Sequence, residues 1–99
     1  EASGHLYLCG GDVNGGSITG FDLNADPASP TWFGQADTAF EPYCHDAQVI
    51  TYTSGPYAGM EVAFAANGGA GLYIYEVVAG QFNRLSSITY PNLAYCHQV

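Results

Sequence analysis

A chain of 99 residues has room for one domain, and its 47% hydrophobic and 10% charged residues, with 13 glycines and 8 tyrosines, suit short strands joined by tight turns. A single cation, Arg84, stands against nine acids for a formal net charge of −8, so the basic footprint required by phosphate backbones or anionic lipid is missing and nucleic acid is excluded as a partner. No apolar run approaches the roughly 20 residues of a spanning helix, so this segment carries no helical membrane span.

In chain order, residues 5–9 alternate apolar and polar and stop at Gly10-Gly11, which reads as a strand followed by a turn around Asp12, Asn14 and Gly16. Residues 17–23 form the next strand. The two prolines of residues 24–30 mark a loop, and residues 31–37, with Trp32 and Phe33, form a third, aromatic strand. A β-branched run over residues 48–53 ends at Ser54-Gly55-Pro56. Strands then follow at residues 60–65, 72–77 and 82–89, the first two separated by the hairpin signal Asn67-Gly68-Gly69. No window sustains apolar positions at helical spacing, and the class is all-β.

The chain repeats itself. Tyr43-Cys44-His45-Asp46-Ala47-Gln48-Val49 returns as Tyr95-Cys96-His97-Gln98-Val99, and 52 residues separate the equivalent cysteines and histidines. Residues 60–65 match 4–9, residues 72–77 match 18–23, and the strand at 82–89 matches the one around Phe33. A period of this size belongs to stacked β units. Labelling the four strands of a unit A to D, residues 1–42 supply B-C-D, 43–93 a full unit A-B-C-D, and 94–99 the start of the next A. Four-stranded antiparallel units in radial array make a β-propeller, which typically needs roughly 4–8 blades. The expectation is about two blades' worth of a larger closed ring. The other blades come either from a longer chain, of which this is an excerpt, or from identical copies. Glu1 in place of an initiator Met and a strand cut short at Val99 favour the excerpt.

The segment His45-Asp46-Ala47-Gln48-Val49, with Gly55-Pro56-Tyr57-Ala58-Gly59 and Glu61-Val62-Ala63-Phe64, resembles the surface proteins with LVIVD-type propeller repeats, in particular the choice-of-anchor B domain. Tyr90-Pro91 followed by Tyr95, His97 and Gln98 is similar to that family's Tyr-Pro and Tyr-x-His-Gln ending, and Phe21-Asp22-Leu23 with Asp26-Pro27 and Pro30 resembles its short repeat. Cys44 and Cys96 depart from the pattern, and the segment that follows His-Gln in the family is absent. The resemblance implies an extracellular or cell-surface propeller without an established catalytic residue to transfer.

Three readings of chemistry remain. His45 and His97 stand at equivalent positions at the start of the innermost strand, and with Asp46 they form a candidate divalent-metal set at one mouth of the channel. The alternative is structural, each imidazole bonding to backbone groups of a turn while Asp46 accepts turn N–H groups. A nucleophilic Cys44 paired with His45 is disfavoured, because neighbours on a strand point to opposite faces. Cys9, Cys44 and Cys96 are disulfide candidates. Equivalent positions on adjacent blades need not approach to bonding distance, so Cys44–Cys96 is set behind an intermolecular Cys9–Cys96 bond, with Cys9 lying beside the A strand that completes its sheet; buried free thiols are the third option. Asp12-x-Asn14-x-Gly16 reads as a hairpin turn in preference to a calcium loop, for want of a downstream bidentate Glu. The acids Asp22, Asp37, Glu41, Asp46 and Glu76 scatter too widely to select a catalytic pair. The tyrosines and Trp32 read as packing between blades, a surface cluster being the sign of a carbohydrate or protein contact.

The leading expectation is a non-enzymatic extracellular module for binding, adhesion or assembly, with a protein or carbohydrate as possible ligand. Its rivals are a metal-binding or catalytic propeller with His45 and His97 at the channel mouth, and a structural subunit of a larger assembly or filament.

Overall fold

The computed structural model describes residues 2–12, 14–36 and 43–99. Among these residues seven strands form two antiparallel sheets in sequence order: β1 (His5–Leu8), β2 (Thr19–Asp22) and β3 (Thr31–Gln35) in the first, and β4 (Asp46–Thr51), β5 (Glu61–Ala66), β6 (Leu72–Val78) and β7 (Gln81–Ile88) in the second. The all-β expectation holds, with a short 3-10 turn at Asn14–Gly16 as the helical exception among the described residues. No helix among those residues is long and apolar enough to cross a membrane. Strand ends shift by a residue or two from the sequence reading; β4 starts at Asp46 because its ladder with β5 begins there, at Asp46↔Ala66. Asp37, Glu41 and the boundary placed at residue 42 lie outside the described residues, as does Val13 in the first turn.

Local chemistry accounts for the connections. Asn67 N–H donates to Gly71 C=O at 2.8 Å and closes the β5–β6 hairpin, where Gly68 and Gly71 take the positive φ that a side chain resists. The β6–β7 turn uses Ala79 (φ 52) and Gly80 (φ 74), a left-handed pair that matches strand twist and that Ala-Gly signals weakly in sequence.

Both sheets carry a register shift between their third and fourth lettered strands, at Gly20/Phe21 and at Ile74/Tyr75. These are equivalent positions when residues 18–23 are laid on 72–77. The segment leaving each sheet also folds back on that sheet's own turn. Cys44 N–H donates to Gly16 C=O at 2.9 Å, and Cys96 N–H donates to Gly68 C=O at 2.8 Å. The internal repeat is therefore structural as well as sequential.

Strand alternation sorts the faces. Tyr7 on β1 and Ala63 and Ala65 on β5 face the space between the sheets, where Ile18, Ala36, Cys44, Tyr75 and Val77 complete the core. Small alanines on β5 make room for rings. Phe33 and Phe82 stack at 6.4 Å, and Tyr7 meets Phe82 edge-on at 5.9 Å, as does Tyr75 at 6.1 Å. Full burial of Tyr75, 1% exposed, is worth about 2–3 kcal/mol. At Gly34 the backbone of β3 meets the Gly80 carbonyl so closely that a Cβ would not fit.

The opposite faces are bare. Leu6, Leu8 and Trp32 are exposed on the first sheet, where Trp32 pairs with Phe21 of β2 on the side away from the core. On the second sheet Tyr52, Tyr57, Val62, Phe64, Ile74 and Leu85 line an open apolar depression of about 220 Å³.

Candidate functional site

The 52-residue repeat brings its two copies together. His45 precedes β4 and is held by its own N–H, which donates to Ala66 C=O at 2.8 Å; Cys96 N–H and C=O pair with Gly68 in the adjoining turn. These two anchors set the His45 and His97 rings 4.2 Å apart at 41°. The Nδ1 of His45 lies 2.9 Å from His97 C=O, so it carries the proton and donates. Tyr95 meets His45 edge-on at 5.5 Å, and Tyr43 packs at 6.5 Å. Asp46 accepts Val99 N–H at 3.4 Å. Among the described residues no three His, Cys, Asp or Glu side chains gather as a metal-holding group, so Asp46 does not join the two imidazoles in one ligand set.

The cysteines pair differently from the sequence expectation. The bond is Cys9–Cys44, within one chain, with a Cα separation of 5.0 Å. Both the intermolecular Cys9–Cys96 bond and a Cys44–Cys96 bond are thereby corrected, and Cys96 is a free thiol. The reason is the return of the chain onto its own turn. Gly16 C=O accepts both Gly10 N–H (3.1 Å) and Cys44 N–H (2.9 Å), which draws the residues after strand β1 against the residues after β3. In the second sheet the place of Cys9 is taken by Ala65, buried at 0% exposure, so Cys96 meets no thiol there.

A third cluster escaped the sequence reading. Glu61, 8% exposed, opens β5 between the sheets and accepts from Ser3 Oγ at 2.9 Å and from Tyr7 OH. His5 Nδ1 sits 3.1 Å from each carboxylate oxygen, an ion pair when the imidazole is protonated. Phe33 covers the His5 ring at 4.6 Å. A buried carboxylate needs such donors to offset its lost hydration. The signal was present: laying residues 60–65 on 4–9 puts Glu61 in the place of His5, an acid and a base at one inward-facing position of successive strands.

Elsewhere, Asn24 donates its backbone N–H (2.7 Å) and its side-chain amide (2.8 Å) to Asp22 Oδ1. These bonds hold the Asp22 carboxyl below its ordinary range. Arg84 lies 5.4 Å over the Tyr73 ring, which fixes the lone cation on the sheet surface.

No family model matches the chain, and no solved structure does. The chain is 33% identical over 63 residues to the uncharacterised protein YwcC of Lactococcus lactis subsp. lactis (strain IL1403); the match takes in 60% of this chain and 18% of that protein. The chain thus corresponds to less than a fifth of that relative's length.

Proposed function

We propose that the chain contributes consecutive blades to a larger β-propeller acting outside the cell as a non-enzymatic module for binding, adhesion or assembly. The observation that carries this reading is the pair of bare apolar faces, one on each outer side of two face-packed sheets. On β1 and β5 these faces carry matching apolar residues, Leu6 and Leu8 on the first sheet and Val62 and Phe64 on the second. Inside the chain an apolar sheet face is covered by another unit of the same kind, and the reading extends that rule to the outer faces. The strand complement supports it, because among the described residues the first sheet has three strands in the order β1-β2-β3, without a counterpart of the strand that β4 provides in the second.

A disulfide within the chain supports an oxidising compartment, and the resemblance to choice-of-anchor B proteins points the same way. The non-enzymatic assignment draws on the repeat itself: its histidines and cysteines sit where each new unit is pinned to the preceding turn, which is an architectural task. The ring is completed by identical copies or by further repeats of the same polypeptide. Native mass spectrometry of the 99-residue chain with electron-microscopic imaging tests the first route, the expectation being closed rings whose mass is a multiple of 10.4 kDa. Leu85→Lys, which places a charge on the open depression, should reduce these to single chains. A parent chain that stays monomeric at 10.4 kDa with both faces bare contradicts assembly from copies.

A further inference from the structure

We propose that His45 and His97 form a two-imidazole site for a divalent transition-metal ion that accepts nitrogen ligands at right angles, of the Cu²⁺ or Ni²⁺ class. The inference is independent of the propeller reading, since it uses two side chains whose contact lies within one chain.

The first support is the tautomer. His45 gives its Nδ1 proton to His97 C=O at 2.9 Å, which orients the ring and leaves the Nε2 lone pair unprotonated and open to an ion. Metal-binding imidazoles are held in this way, one nitrogen on a carbonyl and the other on the ion.

The second support is distance. With metal–nitrogen bonds of about 2.0–2.1 Å and a ring centre about 1.1 Å behind each nitrogen, two imidazoles at 90° place their centroids about 4.5 Å apart, and at the tetrahedral angle about 5.2 Å. The observed 4.2 Å between ring centres is close to the right-angle value and about 1 Å short of the tetrahedral one, so turning one nitrogen of each ring toward a common point completes a right-angle pair with little movement of either ring centre. Square-planar and tetragonal sites of nitrogen and oxygen suit Cu²⁺ and Ni²⁺, whereas Zn²⁺ prefers the wider angle.

The third support is the surroundings. His45 is half-buried and His97 exposed, so the ion would be reached from solvent and water would fill its remaining positions. Tyr95 braces both rings, at 5.5 Å from His45 and 6.4 Å from His97. A net charge of −8 raises the local concentration of cations.

Isothermal titration of the chain with Cu²⁺ and with Ni²⁺, in a Cys96→Ser background that removes the competing thiol, tests the proposal. One ion per chain is expected, with at least about tenfold weaker binding in His97→Ala and in His45→Ala. Because His97 is exposed, His97→Ala should keep the far-ultraviolet circular dichroism of the parent, which separates loss of a ligand from loss of the fold. Cu²⁺ electron paramagnetic resonance should report two equatorial nitrogens in the parent and one in His97→Ala. Absence of binding to the parent, binding that His97→Ala leaves unchanged, or a spectrum with a single nitrogen would overturn the site.

Discussion

Reducing the Cys9–Cys44 bond should cost this fold a large part of its stability, and the size follows from the chain it closes. The two cysteines are 35 residues apart in sequence. On the chain-entropy model a loop of that length removes about 13 cal/mol/K from the unfolded ensemble, or about 4 kcal/mol at 25 °C. Units of 50 residues are close to the size at which a core alone is marginal, so this is comparable to the whole stability of many small domains. For a domain of this size each kcal/mol moves Tm by about 4–8 °C, which puts the expected fall at roughly 15–30 °C. Thermal and urea unfolding would be followed by circular dichroism with and without reductant, and for the Cys9→Ala/Cys44→Ala double variant. Cys96→Ser is the internal control; its thiol bridges nothing, so the change should stay within about 0.5 kcal/mol. Thiol titration of the unfolded, unreduced protein should count one free cysteine per chain. A double variant within about 1 kcal/mol of the parent would refute the claim that this crosslink holds the first sheet to the segment after β3.

Glu61→Gln should destabilise by about 1–3 kcal/mol, because His5, Tyr7 and Ser3 lose the carboxylate that they serve, and a urea midpoint unchanged from the parent would show that the cluster contributes nothing net. Gly34→Ala should cost about 1–3 kcal/mol by forcing β3 from the Gly80 carbonyl, whereas Gly55→Ala, with open space around its Cβ, should show only the smaller cost of a positive φ; equal losses would contradict the contact. Asp22 has a folded pKa lowered from its ordinary 3.8 by the Asn24 bonds, so its contribution is fully present above the unfolded value and vanishes as pH falls through the folded one. Asp22→Asn should therefore be less stable than the parent at neutral pH and match it in strong acid; a difference that persists below the folded pKa would assign the effect to something other than charge.

Much of this architecture was legible because it depends on local pattern. Alternation in residues 5–9 and 60–65, the β-branched run before Ser54, and Asn67-Gly68-Gly69 each specify a strand or turn from neighbours alone. The register shifts at Gly20/Phe21 and Ile74/Tyr75 and the paired anchors at Gly16 and Gly68 give the repeat a physical meaning that its spacing only announced. The partner of Cys9 was not legible. Choosing between Cys44 and Cys96 required knowing that the segment after β3 returns to the β1–β2 turn, a backbone route fixed by two hydrogen bonds to one carbonyl.

The sequence by itself determined the all-β class, the strand order, the repeat and the absence of a basic surface, since all of these follow from composition and from period-two patterning along the chain. Only the tertiary structure decided which side chains meet: Glu61 with His5 across the two sheets, Cys9 with Cys44, and the His45 imidazole with His97. Each of these contacts joins residues 35 or more apart in sequence; backbone returns onto Gly16, Ala66 and Gly68 set the last two, and the first is set by how one sheet's alanines and another's aromatic rings fit together. That fit depends on side-chain volume across an interface, which no local pattern records.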